Sequence, residues 1–157
     1  MKKIIFLTLI LLQVSATFSQ VDTINTENKK SQNQHFIGAN AGFTTGVGLS
    51  YIYNRDDYSV QLTALPLFDQ ENSKYSFGLT LSKYVVNTKK GSYYFYIGNH
   101  FTNFESTDPI YNIGAGPGVE GGDEFFKVRF SIGLAVMGIT SNIMTRPTAE
   151  FGLYLVF

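Results

Sequence analysis

Asn99-His100-Phe101-Thr102-Asn103 is the stretch whose residue types come nearest to a reactive constellation. On an extended backbone His100 and Thr102, two residues apart, project from one face within reach of each other. An imidazole beside a hydroxyl can act as general base toward a nucleophile, and Glu105 follows closely enough to orient the ring. A second group is ionic. Glu120, Lys127, Arg129 and Glu150 carry opposite signs on neighbouring segments. Such a set can line a polar constriction on a solute path, or it can neutralise itself as a structural plug, because unpaired charge in a confined interior is costly. The plug is the favoured reading, and these four are not catalytic candidates. Gly114-Ala115-Gly116-Pro117-Gly118 has the glycines of a phosphate loop, but no helical pattern follows to offer its amides. His35 has no metal-ligand partner at usable spacing, and a chain without Cys has neither thiolate chemistry nor disulfides. No metal and no cofactor is expected.

The elements that must carry these residues are strands. Thr148 to Phe157 places Phe151, Leu153, Leu155 and Phe157 on one face and Glu150, Gly152, Tyr154 and Val156 on the other, a period of two. The same alternation recurs over His35–Phe43, Val47–Tyr53, Tyr58–Leu67, Tyr75–Val85, Tyr93–Phe104 and Tyr111–Glu120. It is clearest from Phe126 to Val136, where Phe126, Val128, Phe130, Ile132, Leu134 and Val136 oppose Lys127, Arg129, Ser131, Gly133 and Ala135. Thr44-Thr45-Gly46 fits a three-residue hairpin loop with Gly in the left-handed position. Pro117 fits its strand only where the ladder pairing is disturbed.

Eight amphipathic strands of about ten residues suit an all-β, single eight-stranded antiparallel transmembrane up-and-down barrel. A soluble eight-stranded barrel of lipocalin type would turn the apolar face inward. Three features favour the membrane form: a Gly- and Ser-rich small face too poor in charge for water, aromatic residues gathered at strand ends, and an apolar closing strand that would otherwise be a sticky edge. Tyr53, Tyr58, Tyr93, Phe126 and Phe157 fall at one depth; Phe43, Phe68, Tyr75, Phe101 and Tyr111 fall at the other, as interface belts do. The expected orientation puts Asn54–Asp57, Asn87–Ser92 and Gly121–Glu124 on the periplasmic side. It makes Thr44–Gly46, Asp69–Lys74, Glu105–Pro109 and Gly138–Pro147 external loops. Parity then turns His100, Thr102 and the four charges toward the lumen, where Lys127 and Arg129 can reach Glu120 and Glu150 on the strands to either side.

Composition agrees. Charged residues make up 15% of the 157, against roughly 25% in ordinary soluble domains. The net charge is zero, so no basic stripe exists to meet nucleic acid. Lys2 and Lys3, the apolar Ile4–Leu12 and the small residues of Ser15–Ser19 read as a signal peptide over residues 1–20, cleaved near Gln20. Residues 21–34 are a polar leader on the periplasmic side, and 35–157 form the barrel domain.

The signal segment, the eight strands with Gly on the lumen face and the Phe-terminated last strand resemble the small outer-membrane β-barrel domain family of Gram-negative bacteria. The resemblance implies an outer-membrane address with lipid as the surroundings, and barrel assembly machinery as a partner that reads the strand ending in Phe157. A structural, envelope-integrity or surface-interaction role with a filled lumen is the expectation; the residues do not identify a surface partner. The alternative is narrower. His100-Phe101-Thr102-Asn103 is similar to the H-x-S-N element of outer-membrane lipid A deacylases, which implies His100 as base and Thr102 as nucleophile, with Thr standing where that family has Ser. A narrow small-solute channel is the third reading.

Overall fold

The structure is a computed structural model that describes residues 33–67, 74–88, 91–103, 109–140 and 143–157. The expected signal segment, most of the leader (21–32), Phe68 and Glu105 lie outside the described residues. Eight strands follow in chain order: β1 (Gln34–Gly42), β2 (Gly46–Arg55), β3 (Tyr58–Leu67), β4 (Lys74–Thr88), β5 (Gly91–Thr102), β6 (Ile110–Gly122), β7 (Phe126–Met137) and β8 (Met144–Val156). Each pairs with its sequence neighbours, and β8 pairs antiparallel with β1, closing an all-β barrel. Among the described residues there is no helix.

The wall is polar inside and apolar outside, the reverse of a lipocalin. Leu49 and Leu134 on the outer face are 72% and 65% exposed, whereas Gln61 and Thr63 on the inner face are 3% and 0% exposed. Period-2 alternation is therefore sorted by the closed sheet into a lipid-like exterior and a hydroxyl- and amide-rich lumen.

The turns obey local chemistry. At the β6–β7 turn the Asp123 carboxylate accepts the Phe125 and Phe126 amides, each at 2.8 Å. Those two bonds, with Lys127 nearby, hold the carboxyl below its usual range. Gly46 closes the β1–β2 hairpin at φ 88°, a backbone region that glycine reaches without steric cost. Pro117 also sits where its chemistry demands. The β6–β7 register runs Ile113↔Val136 to Ala115↔Leu134, then resumes at Gly118↔Ser131, leaving Gly116 and Pro117 out of the ladder.

Several boundaries differ from the sequence reading: β2 runs to Arg55 and β6 to Gly122, into segments expected as turns. β8 starts at Met144, so Met144–Pro147 are strand rather than loop; they pair with Met137–Leu134 of β7. β4 and β5 run on to Thr88 and from Gly91, so most of Asn87–Ser92 is ladder rather than turn. Irregularity in this hairpin lies between Tyr84 and Val86 on β4, while β5 keeps one unbroken register around Asn99.

The β1–β2 hairpin departs most. Thr44–Gly46 does not project from the barrel end; its tip turns into the lumen, burying Thr44 and Thr45. Small residues make the space. A Cβ on Gly98 would lie 2.6 Å from the Thr44 carbonyl oxygen, and Gly78 and Gly114 have the tip equally close against them.

Candidate functional site: a layered lumen

The lumen is filled in layers, each set by inward positions of several strands. At the end of the barrel nearest the β2–β3 turn, Phe36, Ile52 and Tyr154 pack together, with Val156 against them. This is a small apolar stopper inside an otherwise polar interior.

Above it stands Arg129 of β7. Its Nε lies 3.5 Å from Glu120 Oε2, its two terminal nitrogens donate to Gln61 Oε1 (3.2 Å) and Ser82 Oγ (3.1 Å), and its guanidinium carbon sits 4.2 Å from the centre of the Tyr94 ring. Tyr84 donates its hydroxyl proton to the same Glu120 oxygen at 2.6 Å. Side chains from β3, β4, β5 and β6 thus converge on one cation carried by β7, which is 4% exposed. A planar fork that can donate in several directions is the group suited to such a crossing point.

Glu150 does not join that pair. Its Oε1 accepts the hydroxyls of Thr44 (2.7 Å) and Thr148 (2.6 Å) and the Thr44 amide (3.3 Å), and its Oε2 accepts the Thr45 hydroxyl (2.7 Å). The carboxylate is stabilised by neutral hydrogen-bond donors rather than by a cation, and those donors come mostly from the tucked hairpin. Asn40 ties the same tip from the wall, donating to Thr45 Oγ1 and the Gly46 carbonyl. Lys127, half-buried near the opposite end, is a partner of neither carboxylate. The four lumen charges therefore separate into one ion pair, one hydroxyl-bound carboxylate and one peripheral lysine. Between the two layers remains a cavity of about 10 Å³, bounded by Thr45, Gln61, Ser82, Tyr96 and Arg129 among others, at the lower limit for one water.

His100 and Thr102 face inward, as parity requires of an unbulged β5, and are buried. They do not hydrogen-bond each other in the arrangement that nucleophile activation needs. His100 Nδ1 meets the Phe43 carbonyl at 3.1 Å, and Nε2 meets Ser76 Oγ at 2.8 Å. A carbonyl only accepts, so in the neutral ring the proton sits on Nδ1 and the Ser76 hydroxyl donates to Nε2. Ser76 Oγ in turn accepts the Val47 amide, and Thr102 donates to the Tyr75 carbonyl. With Asn112 also donating to the Phe43 carbonyl, His100 works as a strut under the hairpin. Ser76 was not singled out in the sequence, although its inward parity and its register two residues from His100's partner Gly78 are the signal that finds it.

The belt residues separate by end. Tyr53, Tyr58, Tyr93, Phe126 and Phe157 all lie near the β2–β3 and β6–β7 turns, where His35 is 5.1 Å from Tyr53 and 5.8 Å from Phe157, ring centre to ring centre. Lys83, the one cation on the outer face of β4, rests its ammonium 5.7 Å from the Tyr58 ring. At the other end Tyr75 and Phe101 stack at 5.7 Å.

Fold and lumen together define a small up-and-down eight-stranded barrel with an apolar exterior and an occluded interior. Among solved structures the chain is similar to the N-terminal β-barrel domain of Pseudomonas aeruginosa OprF, with a TM-score of 0.54 and 21% identity over 82% of this chain and 100% of that one. At that identity the likeness is one of fold. No protein-family model and no curated protein matches the chain.

Proposed function

We propose that the protein is an outer-membrane barrel whose role is structural, in envelope integrity or surface interaction, rather than conductive or catalytic. The observation that carries this reading is the filled lumen: an apolar stopper, an Arg129-centred layer and a hairpin tip clamped by Glu150 follow one another along the axis. An eight-stranded barrel has an interior just wide enough for side chains to fill, and here three successive layers of them close it. The apolar exterior and the two aromatic ends support the membrane setting. In the orientation proposed, the β2–β3 and β6–β7 turns face the periplasm and the tucked hairpin lies at the outer-leaflet end.

Two measurements test it. In planar bilayers the refolded protein is expected to leave the baseline current unchanged; steady unit conductance steps would show an open path and overturn the occluded reading. Ile97, 55% exposed and midway along β5, reports on the exterior. Ile97→Arg is expected to cost about 2–4 kcal/mol of folding free energy in lipid vesicles, the penalty for a cation at the bilayer midplane. A neutral effect in urea titrations would mean that this face does not meet lipid.

A further inference from the structure

The β1–β8 seam is short. β8 pairs with β7 over its full run from Met144 to Leu155, but with β1 only from Glu150↔Gly42 to Val156↔Phe36. On the other flank of the tucked hairpin, β2 pairs with β3 only as far as Leu49↔Ala64, while β3 continues to Leu67 against β4. Because the hairpin tip has left the wall, a notch opens between the Met144–Ala149 edge of β8 and the end of β3.

Both strands bordering the notch carry a proline whose backbone nitrogen faces it. Phe157 donates to the His35 carbonyl on β1 and Val156 to Phe125 on the β7 side, and the registers contain no slip. Odd positions of β8 therefore present their backbone polar groups to β1, and Pro147 falls where β1 has ended. Pro66 pairs with Tyr75, whose carbonyl accepts from Asn103 beyond β5. Pro66 thus faces β2, past the last β2–β3 pair. A proline offers no N–H, so each removes a donor from a sheet edge that has no partner. In hydrocarbon that matters, because an unpaired backbone donor there finds no water to take its hydrogen bond.

A cavity of about 500 Å³ lies on the β8 side of this notch, lined by residues of β1, β2, β5, β6, β7 and β8 and of the turns beside them. Its lining combines inward positions (His100, Thr102, Asn112, Arg146) with positions on the outer face (Ala41, Ala149). The space therefore reaches from the inner to the outer face at the end of the wall that the hairpin tip has left. Its remaining walls, including Phe43, Ile110, Met137 and Met144, are largely apolar. Arg146 stands exposed at the rim, and among the described residues its guanidinium has the Met144 sulfur as its hydrogen-bond contact.

We infer that this cavity is a binding site for a single-chain anionic amphiphile. Its acyl chain enters sideways from the outer leaflet through the β1–β8 notch, and its head group sits at Arg146. The volume suits a ligand-sized pocket, the lining suits hydrocarbon, and the rim supplies the counter-charge. A free fatty acid and a lysophospholipid share this chemistry. The inference rests on the membrane reading above, because the notch must face lipid.

The test is native mass spectrometry of the detergent-solubilised, folded barrel with palmitate, 1-palmitoyl-lysophosphatidylglycerol or hexadecanol. Heat-modifiable gel migration and vesicle flotation are run on every variant, so failure of the membrane reading shows there, independently of ligand. Wild type is expected to retain one palmitoyl chain per barrel. Ala149→Trp, which fills the notch from outside, is expected to lower retention at least about tenfold, equivalent to about 1.4 kcal/mol. Val119→Trp, on the outer face elsewhere, should leave retention unchanged. Arg146→Gln should weaken the anionic ligands and spare hexadecanol. Preference for palmitate or for the lysophospholipid identifies the source of the chain. A folded, vesicle-bound wild type that retains neither, or an Ala149→Trp variant that binds like wild type, overturns the site; equal loss of all ligands in Arg146→Gln overturns the role of the charge.

Discussion

Arg129→Met is expected to lower the stability of the barrel by about 3–5 kcal/mol, the usual consequence of removing one partner of a buried ion pair and leaving the other uncompensated. Glu120 would keep the Tyr84 hydroxyl but lose its cation, while Gln61 and Ser82 would lose their donor. The double variant Arg129→Met/Glu120→Gln separates charge burial from packing. If the cost lies in the stranded carboxylate, the second substitution recovers most of the loss; if it lies in lost packing against Tyr94, the double variant is no better than the single. Urea titration in lipid vesicles reads both. An Arg129→Met variant as stable as wild type would show that the cation is not what binds the four strands around it to β7.

Glu150→Val is expected to release the hairpin tip. Three Thr hydroxyls and one amide lose their acceptor, and hydrogen bonds to a charged group are each worth about 1.5–3 kcal/mol without being additive, so a total near 3 kcal/mol or more follows. The absence of cysteine from the chain makes the movement directly measurable. Thr45→Cys introduces a single thiol at the tip, buried in the otherwise wild-type barrel. Adding Glu150→Val should raise its maleimide labelling rate at least about tenfold, which corresponds to about 1.4 kcal/mol of opening. An unchanged rate would mean that Asn40 and the His100 strut hold the tip without the carboxylate.

The strands were legible because alternation survives wherever one side of a sheet meets water-like contents and the other does not. β7 shows it with hardly an interruption, and β5 keeps its parity through Asn99 into His100. Lumen partners such as Tyr94, Tyr96 and Gln61 were implicit in the same parity. What the alternation does not carry is contact between distant positions. The tucked hairpin depends on Thr44 and Thr45 meeting Glu150 more than a hundred residues away, and on glycines of β4, β5 and β6 leaving room for them. Local residue types at Thr44-Thr45-Gly46 describe a turn but not its direction. The start of β8 was hidden for a related reason: Arg146 and Pro147 read as loop residues until the missing pairing with β1 makes proline harmless there.

The short β1–β8 seam also bears on how the barrel comes to be closed. Every other pairing joins neighbours in the chain and can form as a local hairpin, whereas this one must bring together segments at opposite ends of the domain. The entropy of closing so long a loop has to be met before its contacts repay it, and no pairing in the barrel has fewer backbone pairs with which to do so. The Thr44–Glu150 and Thr45–Glu150 bonds span the same gap from within, as does the bond from Tyr154 to Asn40. The contents of the lumen therefore act as an internal latch on the last step of assembly: an incomplete interior would leave a sheet that is paired but slow to shut.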